Sequence, residues 1–382
     1  MSNDYLVQTA QGRRRQRLVR PLQSPLQALR FTAEPAEFQV SGTIKTLPQL
    51  REHLQTAIQL EHTTIPPYLT TLYTLDERRN RFAYQAIQGV VMEEMLHMIQ
   101  VCNILNALGG SPAINTPHFI PEYPAPLPHS DNAFKVPLQK FSPDTISVFL
   151  QIEMPAPSDA PPEANHYNSI GQFYDAIRLA IEELDAENWL KHGRSLFDEF
   201  PEKAGYQILP EHYYGGGGKL LAIRSLEDAR NAIEEIIGQG EGVDGTIIDT
   251  DSIEFGQDVE YAHYFRFNEI KHARRYLPDD SARLPPTGPA VEVDWNAVID
   301  MAPNPRMADY PEDSPLRRQS WEFNRTYCQL LNLLHISCNG KPDRLGEAIP
   351  VMYQLKYQAQ ALLNLPNGAG QRAGPSFEYV PL

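Results

Sequence analysis

LREHLQTAIQLEHTTIPPYLTTLYTLDERRNRFAYQAIQGVVMEEMLHMIQVCNILNAL, residues 50–108, holds two segments of helical periodicity, and each carries carboxylates on its apolar stripe. In the first, Leu54, Ile58, Ile65, Tyr68 and Leu72 recur at intervals of three, four and seven, and Glu61 falls into that series. In the second, Ala86, Val90, Val101, Ile104 and Leu108 form the stripe, with Glu94 and His97 inside it. A glutamate on a buried face needs a partner, because an unpaired buried carboxylate costs several kcal/mol or shifts its pKa. Glu93, adjacent to Glu94, is rotated by about 100° of helix turn and reads as a rim residue or a support for the ligands.

The other half of the pattern comes late. Glu260-Tyr261-Ala262-His263 repeats the Glu-x-x-His spacing of Glu94-Met95-Leu96-His97. Residues three apart share a helix face, so each motif aims one carboxylate and one imidazole at a common point. Two such motifs, with single glutamates from two more helices, make the carboxylate-bridged dinuclear site of ferritin-like bundles. The sequence resembles that superfamily. QLEHTTIPPYLTTLY (59–73), VVMEEMLHM (90–98) and QGEG (239–242) are similar to the ferritin-like family that includes the iminophenyl-pyruvate dimer synthase of violacein biosynthesis. The resemblance runs over residues 47–276 and, more weakly, over a helical tail at 323–365.

The expected architecture is an all-α core, a ferritin-like four-helix bundle with long proline-rich crossover loops and an additional C-terminal helical hairpin. Residues 1–43 form a basic arm, 44–277 the metal-binding bundle with an insertion at 111–224, 278–320 a proline-rich loop, and 321–382 the hairpin and tail. Helix one begins near Thr46 and continues through Pro66-Pro67 with a kink after Glu61. Helix two covers 81–108 and stops at Gly109-Gly110. The insertion is a lid or pocket wall; its runs at 135–137 and 148–154 read as strands or extended covers, and 171–189 as a helix. Helix three covers 225–240, and helix four runs to about Tyr276 from the acidic segment 244–258. Two further helices are expected at 321–338 and 345–365. The glycine run at 215–218 lacks phosphate-binding spacing.

The fourth carboxylate belongs on helix three. Glu241 continues the Ile237 face and Glu234 lies one heptad earlier, with Glu235 a further alternative; the family resemblance points to Glu241. Glu182 is held in reserve. The expected ligand set is Glu61, Glu94, His97, Glu241, Glu260 and His263, with no catalytic residue beyond the metal centre. His118, His129 and His166 lie in the proline-rich crossover and are not expected as ligands, and His335 lacks an acidic partner at ligand spacing. Oxygen-rich ligands with some nitrogen suit two iron ions, or manganese or a mixed Mn/Fe pair. The resemblance implies an oxygen-dependent oxidoreductase of specialised metabolism acting on a small amino-acid-derived, aromatic or imine substrate, with a partner oxidase upstream. Iron storage and a non-catalytic scaffold are the alternatives.

Composition bounds the rest. The 382 residues are 42% hydrophobic and 21% charged, and the 33 prolines cluster outside the helical segments. A net charge of −15 argues against nucleic-acid binding, which needs a positive field. Three cysteines without Cys-x-x-Cys spacing give no disulfide scaffold, and Cys102 reads as a buried free thiol. No segment has the length and apolarity of a membrane span, so a cytoplasmic protein is expected, and the extra helical surface suits a homodimer.

Overall fold

The computed structural model describes residues 44–130, 134–157, 159–242, 245–249 and 260–382; the expected basic arm at 1–43 lies outside them. Helix α1 (Leu47–Thr74) starts from a capping box in which Thr46 and Gln49 exchange hydrogen bonds, with Pro48 in the first turn. It runs unbroken through Pro66 and Pro67. Pro67 cannot donate to the Thr63 carbonyl four residues back; the Tyr123 hydroxyl donates to that oxygen instead, at 2.8 Å. The carbonyl that Pro67 leaves open is thus satisfied from outside the helix.

Helix α2 (Arg81–Ala107) packs along α1 and ends before Gly109, whose φ of 73° suits glycine. The expected strand or cover at 148–154 is instead part of helix α3 (Pro143–Ile152), and among the described residues only isolated β-bridges occur, one of them joining Ala125 to Val136. The signals for α3 are local. The Ser142 hydroxyl accepts from Thr145 N at 3.1 Å, Pro143 opens the first turn and Asp144 meets the positive end of the dipole.

Helices α4 (Ile170–His192) and α5 (Leu226–Glu241) pack on each other, capped by Ser169 and Ser225. Helix α6 (His263–His272) lies against α3 and α2; it starts at His263, later than the sequence suggested. The C-terminal pair is α7 (Pro315–Cys338) and α8 (Ala348–Leu363). It is joined to the bundle by Asn106, which donates to the Cys338 carbonyl at 2.8 Å, and by Lys356, which reaches the Tyr84 hydroxyl at 3.0 Å. The main apolar core extends from Ile44 through Phe323 and Tyr327 to Val380, so bundle, hairpin and tail share it. The described residues form an all-α bundle. No helix among the described residues is long and apolar enough to cross a membrane.

Candidate metal centre

Five buried side chains from four helices meet inside the bundle. Glu61 comes from α1, Glu94 and His97 from α2, Glu153 from the residue that caps the C-terminus of α3, and His263 from the first residue of α6. They form two overlapping groups that share Glu94: Glu61, Glu94 and His97 in one, Glu94, Glu153 and His263 in the other. Within each group the candidate ligand atoms all lie within 4.8 Å of one another. The imidazole planes face each other at 5.6 Å with a 23° tilt.

Both imidazoles are oriented in the same way. His97 Nε2 lies 2.7 Å from Gln239 Oε1, on α5, and His263 Nε2 lies 2.8 Å from Glu93 Oε2. Each Nε2–H therefore has an acceptor, which directs the Nδ1 lone pair inward. His97 Nδ1 stands 3.4 Å from Glu61 and 3.8 Å from Glu94. His263 Nδ1 stands 3.0 Å from Glu94 and 3.4 Å from Glu153, yet it is a buried atom without a well-aligned hydrogen bond. Ligand atoms that converge on a point without bonding each other fit a shared cation better than a hydrogen-bond network.

The outer hydrogen bonds orient the carboxylates. Thr64 Oγ1 donates to Glu94 Oε2 at 2.6 Å, Tyr174 donates to Glu61 Oε1, and Tyr68 donates to Glu153 Oε1. Burial and the surrounding carboxylates hold both phenols well above their usual pKa, so they remain donors. Burial, then the charges of Glu153 and Glu61, push the Glu94 carboxyl up to about 7. Burial alone would lower both histidines, but the carboxylates overcome it and raise both, His263 strongly. The cluster therefore attracts positive charge, as protons or as cations.

Glu93 is fully enclosed rather than at a rim. Burial would raise its carboxyl, but Arg266 at 2.7 Å and His263 hold it at about 2. Arg266 also reaches Asp249 at 2.7 Å, so one guanidinium fixes the carboxylate that orients His263.

Of the six residues expected from sequence, Glu61, Glu94, His97 and His263 converge, while Glu260 and Glu241 do not. The Glu260 side chain is 58% exposed and lies 3.9 Å from Arg266. Glu-x-x-His spacing aligns two side chains only where a helix runs through both, and α6 begins only at His263, so the two are not on one helical face. Glu241 turns its carboxylate to backbone, with Oε2 accepting from Ala156 N at 2.9 Å and Oε1 from Gly171 N at 2.8 Å. Glu234 is exposed, Glu235 lies 3.4 Å from Gln239, and Glu182 pairs with Arg178 and Arg230. His118 is exposed, and His129 stacks edge-on against His53.

Glu153 is the residue that sequence reasoning missed. Ile146, Phe149, Leu150 and Glu153 follow the same i, i+3, i+4, i+7 series that singled out Glu61. Reading the segment as extended concealed it.

The Ferritin-like family matches residues 54–272, more than half of the sequence. The chain belongs to that family. It is 25% identical over 327 residues to the dichlorochromopyrrolate synthase of Lentzea aerocolonigenes, covering 77% of this chain and 29% of that protein. It is 26% identical over 372 residues to the 2-imino-3-(indol-3-yl)propanoate dimerase of Chromobacterium violaceum, covering 87% of this chain and 34% of that protein. The chain thus spans about a third of the length of these curated relatives. In three dimensions it is similar to a ferritin-like protein from Caulobacter vibrioides, with a TM-score of 0.58 at 23% identity over 88% of this chain and 100% of the other.

Proposed function

We propose that this chain is an oxygen-dependent oxidoreductase of specialised metabolism whose two metal ions, most simply iron, are held by Glu61, Glu94, His97, Glu153 and His263. Manganese or a mixed Mn/Fe pair is the alternative. The observation that carries this reading is the double group sharing Glu94, with two Nδ1 atoms aimed inward and each Nε2–H held from outside. When bound, the metals would supply the redox chemistry with dioxygen.

The protein's own residues orient, screen and hold protons. Tyr174 and Tyr68 donate to Glu61 and Glu153, fixing one oxygen of each and leaving the other toward the centre. Gln239 and Glu93 fix the imidazole tautomers. Ile152, Ile170, Ile236 and Ile237 wall the adjoining cavity and limit water.

The substrate class follows from kinship alone. One relative is named for an indole-bearing imino acid and the other for a chromopyrrolate, so the proposed substrate is a small aromatic amino-acid-derived imine. Joining two such molecules by a carbon–carbon bond releases two electrons and two protons, which dioxygen takes up as hydrogen peroxide. Free imines hydrolyse in water, so an upstream amino-acid oxidase is the proposed supplier. A homodimer is the proposed assembly.

Metal analysis of anaerobically purified protein, followed by absorbance on exposure to oxygen, tests the proposal. About two irons per chain and a transient oxygen-dependent band are expected. No metal from iron- and manganese-replete growth would overturn it in favour of a scaffold, and many irons per chain would favour storage.

A further inference from the structure

The cavity beside the centre has an inner and an outer end. Glu61, Glu94, His97, Glu153 and His263 line the inner end and are buried. Ile170, Ile237, Gly240 and Glu241, only partly buried, line the outer end, where the first turn of α4 meets the last turn of α5. The cavity measures about 20 Å³. That holds water-sized molecules and leaves no room for an organic substrate.

Glu241 closes the seam. Its two carboxylate oxygens accept from backbone N–H groups of two separate stretches, Ala156 beyond α3 and Gly171 in the first turn of α4. A Cβ on Gly171 would lie 2.5 Å from Glu241 Oε1, so glycine is required for the carboxylate to seat. Gly240, one residue before Glu241, is the opposite case: a Cβ there would meet Glu153 Oε2 at 3.9 Å, an ordinary contact, and be accommodated in the passage.

We infer that Glu241 is the gate of the centre: its carboxylate latches α5 to α4 and to the chain after α3, and release of that latch admits anything larger than water. The inference rests on the proposed metal centre and deepens it, because it assigns which residue governs entry. The latch is polar while the walls behind it are isoleucines, so an entering molecule exchanges two backbone hydrogen bonds at the mouth for an apolar passage. A small, largely apolar molecule suits that passage.

The test follows the rate of cobalt(II) uptake by the apo full-length chain, read from the cobalt absorbance in stopped flow. Glu241→Gln keeps one acceptor but sets an amide NH2 against the other N–H, and Gly171→Ala displaces the carboxylate sterically while leaving its charge. Both are expected to speed uptake at least tenfold with unchanged final stoichiometry. The Glu241→Gln acceleration would run against the loss of electrostatic attraction. Gly240→Val, which fills the passage, is expected to slow uptake at least tenfold. Unchanged rates in Glu241→Gln and Gly171→Ala would overturn the gate. Amide hydrogen exchange gives a readout that needs no metal. Glu241→Gln should raise exchange at Ala156 and Gly171 at least tenfold while the amides of α1 stay as in the wild type. If the wild type takes up no cobalt, the metal reading fails and the exchange experiment alone decides the gate: equal exchange in both proteins overturns it.

Discussion

Glu153→Gln should leave the stability of the apo fold nearly unchanged and lower that of the metal-loaded state. Glu94, Glu153 and Glu61 crowd their charges into one buried site, and the Glu94 carboxyl is raised from 4.5 to about 7 by burial first and by these neighbours second. At about 1.4 kcal/mol per unit, the shift corresponds to a cost on the order of 3 kcal/mol to the apo fold. The group's folded pKa lies above its unfolded one, so the cost is absent below pH 4.5 and complete above pH 7. Since burial is the larger cause, the share removed with the Glu153 charge is about 1 kcal/mol. The Glu153 charge also acts the other way: against the lowering effect of burial it is the largest cause holding the His263 imidazole well above its usual pKa, so the variant loses that attraction too and the two changes largely offset. The glutamine carbonyl can still accept from Tyr68, which keeps the phenol satisfied.

The apo variant is therefore expected to melt within about 2 °C of the wild type at pH 8, read by calorimetry. In saturating iron the variant should be clearly the less stable. Loss of the second group of ligands takes the count from two metals per chain to one. At metal a hundredfold above the dissociation constant, that removes about 2.7 kcal/mol of linked stability. A variant destabilised equally in both states, with two metals still bound, would refute the assignment of Glu153 to the centre and make it a structural acceptor for Tyr68.

Three further outcomes follow from the same geometry. Arg266→Met leaves Glu93 and Asp249 as buried carboxylates without their guanidinium; urea unfolding should show a loss of about 3–5 kcal/mol, and a loss below 1 would contradict the role given to that arginine. Gln239→Leu removes the acceptor of His97 Nε2–H, so competition titration should find metal affinity lower by about 10–100-fold with stoichiometry retained. His62, packed beside Tyr327 with its hydroxyl 2.6 Å from Nε2, is lowered by burial to about 3. It stays neutral in the fold while the unfolded chain protonates near 6.5, so its contribution is fully present above pH 6.5. That contribution declines as pH falls, by as much as about 5 kcal/mol at pH 3. His62→Gln should flatten the stability profile between pH 6 and 4, and an unchanged slope would count against it.

The helices were legible because their information is local. Periodicity placed α1, α2, α4, α5 and the C-terminal pair, and an in-phase carboxylate or imidazole marked Glu61, Glu94 and His97 before any contact was known. Their burial required company, whatever the partner was. His263 was also found, but through a motif whose other half, Glu260, is in the wrong place because α6 begins one turn too late to present it. Glu153 shows the same limit. Its phase was readable, yet nothing local states that the end of a ten-residue helix in a proline-rich crossover reaches the inside of a distant bundle. Glu241 had the right phase and the wrong destination, since two backbone N–H groups from chain 70 and 85 residues away claim its carboxylate. Sequence thus determined which faces must be buried and which side chains could not be buried alone. Only the tertiary structure decided their partners, because that choice rests on long-range packing that brings helix ends and loops together without leaving a periodic trace in the chain.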